Sequence, residues 1–164
     1  MTSTEKWLLA RAVIAFLALP GIVAFLIPSL LVSRQPSRVL NPIGLALVVP
    51  GTLLLLWCVR DFYARGRGTL APWDPPQSLV VSGPYQYSRN PMYVAVTLIL
   101  WGCALSVWSL SLAVYAGVVM IAFHLRVVLG EEPWLARTHG AQWAEYKSQV
   151  PRWLRMPRKT ARHR

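Results

Sequence analysis

Charge is absent from three stretches of the chain: Ala12 to Val32, Val39 to Val59, and Asn90 to Leu125. Each of the first two suits one helix of roughly 20 residues, the length that crosses a hydrocarbon core of about 30 Å. The third is too long for a single crossing, because one helix of that length would measure about 54 Å at 1.5 Å per residue. Serines interrupt it between Ser106 and Ser109, so the pattern predicts a helical hairpin with a short first arm. Four membrane helices are expected, near residues 10–32, 40–61, 91–105 and 109–130. The fold class is then an all-α integral membrane bundle, and 164 residues suit a single domain, 1–164.

Composition agrees. Hydrophobic residues make up 55% of the chain and charged ones 14%, with mean hydropathy +0.42, too apolar for an ordinary soluble domain. A secretory signal peptide starting at Lys6 and Arg11 fits less well, because the first apolar stretch is too long for an h-region and no A-x-A site ends it. The formal net charge is +11. Basic residues gather after Glu132 and around the second connector (Arg60, Arg65, Arg67, Arg89), and only Arg34 and Arg38 lie between the first two apolar stretches. Cytoplasmic loops collect Lys and Arg, so both termini and the 60–90 segment are expected in the cytoplasm. The charge does not call for a nucleic-acid partner, since no reading module is visible. The basic tail, 155–164, suits anionic head groups, which makes membrane lipids the expected partners. Cys58 and Cys103 lie in apolar stretches without a C-x-x-C, and the histidines have no metal-ligand spacing, so no metal is expected.

Two polar segments could do chemistry. In the connector from Arg60 to Tyr93, Gly66, Gly68, Pro72, Pro75, Pro76, Gly83 and Pro84 forbid a continuous helix. Trp73, Leu79, Val80, Val81, Tyr85 and Tyr87 argue against disorder. An ordered lid or pocket wall over 62–90 is expected. Asn90-Pro91 reads as a helix start, with Asn as cap and Pro in the first turn. Free N–H groups there suit an anion, and Arg89 adds a forked donor for carboxylate or phosphate. The plainer reading leaves Asn90 as a cap, Arg89 as a membrane anchor and the tyrosines as an aromatic belt.

The second segment runs from Phe123 to Trp153. Glu131 and Glu132 are adjacent in a chain with six acidic residues. Read as the end of the fourth helix, they sit at the wrong pole of its dipole and need a positive partner. His124, seven residues earlier, shares their face on a continuous helix. The plainer reading makes His124 a satisfied polar group at the bundle edge and the glutamates a surface ion pair with Arg126 or Arg137. Pro133 starts or kinks the next helix and Gly140 stops it. Ala141 to Val150 is then a short interfacial helix with Trp143, Tyr146 and Val150 on one side, ended by Pro151. A helix start suited to anions and a helix end with two carboxylates would together hold a zwitterion, such as an amino-acid moiety.

The text "RGRGTLAPWDPPQSLVVSGPYQYSRNPMY", followed by "EEPWLARTHGAQWAEYKSQVPRW", resembles the isoprenylcysteine carboxyl methyltransferase family of membrane enzymes, whose broader relatives include phospholipid N-methyltransferases. The resemblance spans about Arg65 to Leu154. It implies S-adenosylmethionine as cofactor, held without a Rossmann domain in a cytoplasmic pocket made by the 62–90 loop and the C-terminal interfacial helices. The family's Arg-His-Pro motif falls on Arg89, Asn90 and Pro91, with Asn in the middle place as in many bacterial members, which implies a bacterial inner membrane. The resemblance implies that Glu131 and Glu132 hold the cofactor's ammonium or ribose, and that the turn from Gly83 to Tyr85 lines its adenosyl side. His124 belongs to the same expected set, and Tyr85 or Tyr93 would steady the sulfonium. Arg89 or Arg126 would orient an acidic substrate. Methyl transfer mainly needs alignment and a dry pocket, so no catalytic triad is expected. The acceptor is left as the carboxylate of a prenylcysteine-like compound, a lipid amine or a thiol. An NADPH-dependent sterol-type reductase shares the R-x-P-x-Y start, but "NPMYVAVTL" lacks its Asn before the Tyr and its acid after it. A non-enzymatic membrane scaffold is the remaining alternative.

Overall fold

The computed structural model describes residues 17–33, 41–65 and 79–154. The expected start of the first helix, the link with Arg34 and Arg38, the connector prolines with Trp73, and the basic tail lie outside these residues. Helix α1 is a π-helical stretch, Leu17–Leu26, running directly into an α-helical one, Ile27–Ser33. Helix α2 is Pro42–Arg65. A 3₁₀ turn, Gly83–Gln86, precedes α3, Pro91–Ser106. Helix α4, Leu110–Arg126, passes through a π turn, Val127–Glu131, into α5, Glu132–Gln149. Among the described residues there is no strand.

The hairpin breaks at the serines, as the sequence predicts. Ser109 caps α4 by accepting from the Leu112 N–H, and Trp108 takes the left-handed φ of 48° that reverses the chain. At the same end of the bundle the Asn41 carboxamide accepts from the Ile43 N–H at 2.9 Å and starts α2. The Asn41 N–H donates to the last carbonyl of α3, on Ser106, at 2.8 Å.

Helices α2 and α3 run antiparallel and touch through their backbones. Gly44 faces Gly102 and Ser106, and Gly51 faces Ala95 and Ile99. A Cβ at Gly102 would lie 2.8 Å from the Gly44 carbonyl oxygen and 2.7 Å from a Val48 methyl. Small residues bring helices this close where lipid supplies no hydrophobic drive between them. The core behind this seam is Leu55, Ala95, Val96, Ile99, Leu100 and Ala116, joined by Ala24 of α1.

The outside of the bundle is apolar. Leu53, Val114, Val118 and Ile121 are each more than half exposed, a surface that water would not tolerate in this quantity. Among the described residues, two helices are long and apolar enough to cross a membrane, at Pro42–Asp61 and within Leu110–Gln149. Gly21–Ser33 and Pro91–Ser106 are apolar but shorter.

The end of α4 differs from expectation. The glutamates do not end a helix, because the chain stays helical through Pro133. The π turn explains this. Proline lacks an N–H and crowds the carbonyl four residues back, and a wider turn ahead of it removes both demands. Gly140 (φ 47°, ψ −116°) then bends α5 sharply, as its identity predicts. The half-helix beyond it does not lay an aromatic stripe on the membrane. Trp143, Tyr146 and Val150 are buried together against Leu79 and Leu135 as a second small core.

Candidate functional site

The C-terminus of α2, the start of α3 and the π turn meet at one end of the bundle. Most of the charged side chains in the described residues that make ion pairs are there. Successive residues of a helix point about 100° apart at 3.6 residues per turn, so the adjacent glutamates face different neighbours.

Glu131 faces the first turn of α3. The Tyr93 hydroxyl donates to its Oε1 in a short hydrogen bond. Arg126 Nε donates to the same oxygen at 2.8 Å and to the Tyr93 hydroxyl oxygen at 3.1 Å. The Tyr93 ring rests on Phe123, with centroids 4.4 Å apart. This trio is open: the Arg126 side chain is 49% exposed and that of Glu131 is 33%.

Glu132 faces the loop and the C-terminal segment. Arg152 grips it with both prongs, Nε to Oε1 and Nη2 to Oε2, each at 2.8 Å. Arg89 Nη1 lies 2.9 Å from Oε1. Here the side chains of Arg89 and Glu132 are only 8% and 9% exposed. The Arg89 guanidinium also sits over the Trp143 ring at 5.3 Å from its centroid. The contact of Arg89 with Glu132 is one of charge rather than alignment, since neither its Nε nor its Nη1 completes a hydrogen bond. Burial lowers the Arg89 pKa, the Glu132 carboxylate opposes that, and the Arg152 charge adds to it. Arg152 is raised by its bonds to Glu132. Two guanidiniums against one carboxylate leave this cluster, buried at Arg89 and Glu132 and one-third exposed at Arg152, with an excess positive charge.

A strap of backbone holds the cluster closed. The Arg89 N–H donates to the Pro151 carbonyl at 3.0 Å. The Ser88 hydroxyl donates to the Arg152 carbonyl at 3.3 Å and accepts from the Asn90 N–H at 3.1 Å. The Tyr146 hydroxyl donates to the Tyr85 carbonyl at 2.7 Å. Asn90 joins the strap instead of capping α3: its amide nitrogen donates to the Arg152 carbonyl at 3.0 Å, and no side chain caps the helix. Asn90 stands at the N-cap position ahead of Pro91, as expected, and only the expected side-chain capping bond is absent. The carbonyl of the strap lies within its reach and competes for the side chain, while Pro91 holds the first helical position unaided.

The remaining expected residues fall near these clusters. Gly83 has φ 62°, which glycine allows at little cost. Tyr85 is buried, and its phenol is pushed well above its usual pKa, first by burial and then by the charges around it. His124 stacks on Trp153 at 5.9 Å and does not share the glutamates' contacts, because the π turn between them shifts the register. Sequence reasoning placed the helix of Trp143 and Tyr146 at this end but did not name Asp61, Trp143, Tyr146 or Arg152 as site residues. Arg152 sits in the "VPRW" that closes the family-like segment, the one signal that could have marked it. Among the described residues, no group of three His, Cys, Asp or Glu could hold a metal ion.

A family model described as phospholipid methyltransferase matches residues 40–142. The chain belongs to that family. The family's description is that of methyltransferases associated with membrane lipids, in line with the resemblance drawn from the motifs. The matched range carries Gly83 to Tyr93, Arg126 and both glutamates, and ends short of the Arg152 strap. The chain is also similar to the cobalt-zinc-cadmium resistance protein CzcN of Cupriavidus metallidurans, with 29% identity over 136 residues. That alignment covers 79% of this chain and 58% of CzcN, so the chain spans little more than half the length of that relative. No solved structure matches.

Proposed function

We propose that this family member transfers a methyl group from S-adenosylmethionine to a lipophilic acceptor at the cytoplasmic face of a bacterial inner membrane. The observation that carries the reading is the separation of two charged clusters at one end of the bundle: an open carboxylate at Glu131, and an excess of guanidinium around Glu132 from the buried Arg89 and the one-third exposed Arg152.

The residues fit the cofactor's methionine end. Its carboxylate suits Arg89, whose Nε and Nη1 keep unaligned donors, and a forked donor favours a carboxylate. Its ammonium suits Glu131, one-third exposed and held by Arg126, a partner that can swing into solvent. When bound, the cofactor supplies a sulfonium-activated methyl group. The chain's part is to hold, orient and keep dry. Tyr85 and Tyr93 offer aromatic faces suited to a cation, and the strap from Val150 to Trp153 closes over the loop that carries Arg89. Once Glu131 takes a ligand ammonium, Arg126 is free to orient an acidic acceptor or a lipid phosphate.

The apolar exterior supports an acceptor that arrives through the lipid: a prenylcysteine-like carboxylate, a lipid amine or a thiol. The Lys and Arg distribution supports four crossings with both termini and the site in the cytoplasm, and membrane lipids as neighbours. The test is a methyl-transfer assay with labelled cofactor, purified protein and membrane lipid extract, paired with calorimetry against S-adenosylmethionine and NADPH. Binding of S-adenosylmethionine with label entering the lipid phase supports the reading. Binding of NADPH alone returns the reductase.

A further inference from the structure

Asp61 lies at the site end of α2 and has no part in the clusters above. It is 4% exposed, and among the described residues its Oδ2 has no hydrogen-bond partner. The other carboxylates at this end are matched, Glu131 by Arg126 and Glu132 by Arg89 and Arg152. Arg60, its chain neighbour, is exposed. A buried carboxylate without a counter-charge is costly to keep, so its presence asks for a positive group.

The walls around it are specific. Gly83 packs so tightly on Asp61 that a Cβ there would overlap Oδ2, and that Cβ would lie 3.3 Å from the Trp57 indole nitrogen. Cys58, one helical turn before Asp61, packs with Tyr85 and Val80. Tyr85 is within electrostatic reach of both Asp61 and Glu131. One carboxylate, an indole and a phenol ring thus converge beside the Gly83 turn. A divalent metal needs several oxygen or nitrogen ligands, and the described residues do not cluster them here. A carboxylate among aromatic rings is instead a combination suited to organic cations.

We infer that Asp61, with Trp57 and Tyr85, forms a subsite for an organic cation, either the sulfonium of the cofactor or an alkylammonium group. The inference rests on the methyltransferase reading only for the first of these sources. Two matched probe pairs separate them in detergent calorimetry. S-adenosylmethionine and S-adenosylhomocysteine differ in charge at sulfur, and dodecylamine and dodecanol differ in charge at the head.

Asp61→Asn removes the charge with little change of shape. The protein is expected to melt at the same or a higher temperature, because an unmatched buried charge is gone. If the sulfonium is the ligand, S-adenosylmethionine affinity falls about tenfold or more, the loss expected for a charged contact, while S-adenosylhomocysteine is unchanged. If an alkylammonium is the ligand, the preference for dodecylamine over dodecanol is lost and both cofactor affinities stay. Retention of both preferences overturns the inference. So does a lower melting temperature with equal weakening of every probe, the mark of a structural aspartate. Should Asp61→Asn not fold, Trp57→Leu at a half-exposed position decides: a reduced preference for either charged probe supports the subsite, and unchanged preferences overturn it. A wild type that binds neither S-adenosyl compound sinks the methyltransferase reading and leaves the amine pair to judge Asp61 by itself.

Discussion

Glu131 and Glu132 are adjacent in sequence yet serve different clusters, Glu131 bonded to Arg126 at the open surface and Glu132 clasped by Arg152 and Arg89 in the interior. One carboxylate can exchange its partner for a ligand. The other is already committed to joining the π turn to the C-terminal segment.

The pair should therefore respond differently to neutralisation. Glu131→Gln is expected to weaken S-adenosylmethionine binding about tenfold or more, the loss of a charge-assisted bond of roughly 1.5–3 kcal/mol, with little change in melting temperature. Glu132→Gln leaves two guanidiniums without their carboxylate. Breaking a fully buried pair costs about 3–5 kcal/mol. With Arg152 about one-third exposed, solvent screening reduces this to roughly 2 kcal/mol, visible as a lower melting temperature. Glu145→Gln is the control, since Glu145 is exposed and, among the described residues, its carboxylate bonds only Gln149. Calorimetry and thermal unfolding on the three variants decide it, and identical profiles for the first two would remove the distinction.

Arg89 tests the cationic cluster. Arg89→Leu is expected to lower cofactor affinity or turnover about tenfold or more while insertion into the membrane stays normal. Arg89→Lys should rescue it poorly, because a point charge lacks the fork and stacks less well on Trp143. Full methyl transfer by Arg89→Leu would show that the residue only anchors the helix.

The seam between α2 and α3 makes a prediction about stability alone. Gly102→Val places a branched side chain against the Gly44 carbonyl and Val48. A cost of about 1–3 kcal/mol is expected from overpacking, read as a lower unfolding temperature in detergent. Gly117→Ala on α4, where a Cβ meets nothing within 4 Å, should be neutral or slightly stabilising. Equal effects at the two positions would contradict the close approach.

Topology is tested by single-cysteine labelling in intact cells. With Cys58 and Cys103 replaced, a cysteine in the basic tail (155–164) should resist a membrane-impermeant reagent added outside and react once the membrane is opened. Labelling from outside would invert the proposed orientation and move the site to the other face.

What the sequence by itself determined is the set of elements and their charge. Uncharged runs mark the helices, and Ser106 and Ser109 mark the hairpin. Gly140 marks the bend, and the few acidic residues point to Glu131 and Glu132. These are local signals, since periodicity and turn chemistry act within a few residues. Tertiary structure decided the partners. Arg152 is 20 residues beyond Glu132, and no helical period links the two across Gly140. Asn90 was readable as a cap, yet the carbonyl of Arg152 claimed its side chain. Pro133 was readable as a helix break, yet a π turn absorbed it and the chain stayed helical through both glutamates. Trp143, Tyr146 and Val150 were legible as one face, but a face states only what needs burial. Whether lipid or another part of the chain buries it depends on where the backbone returns, and that is set by packing across the whole bundle.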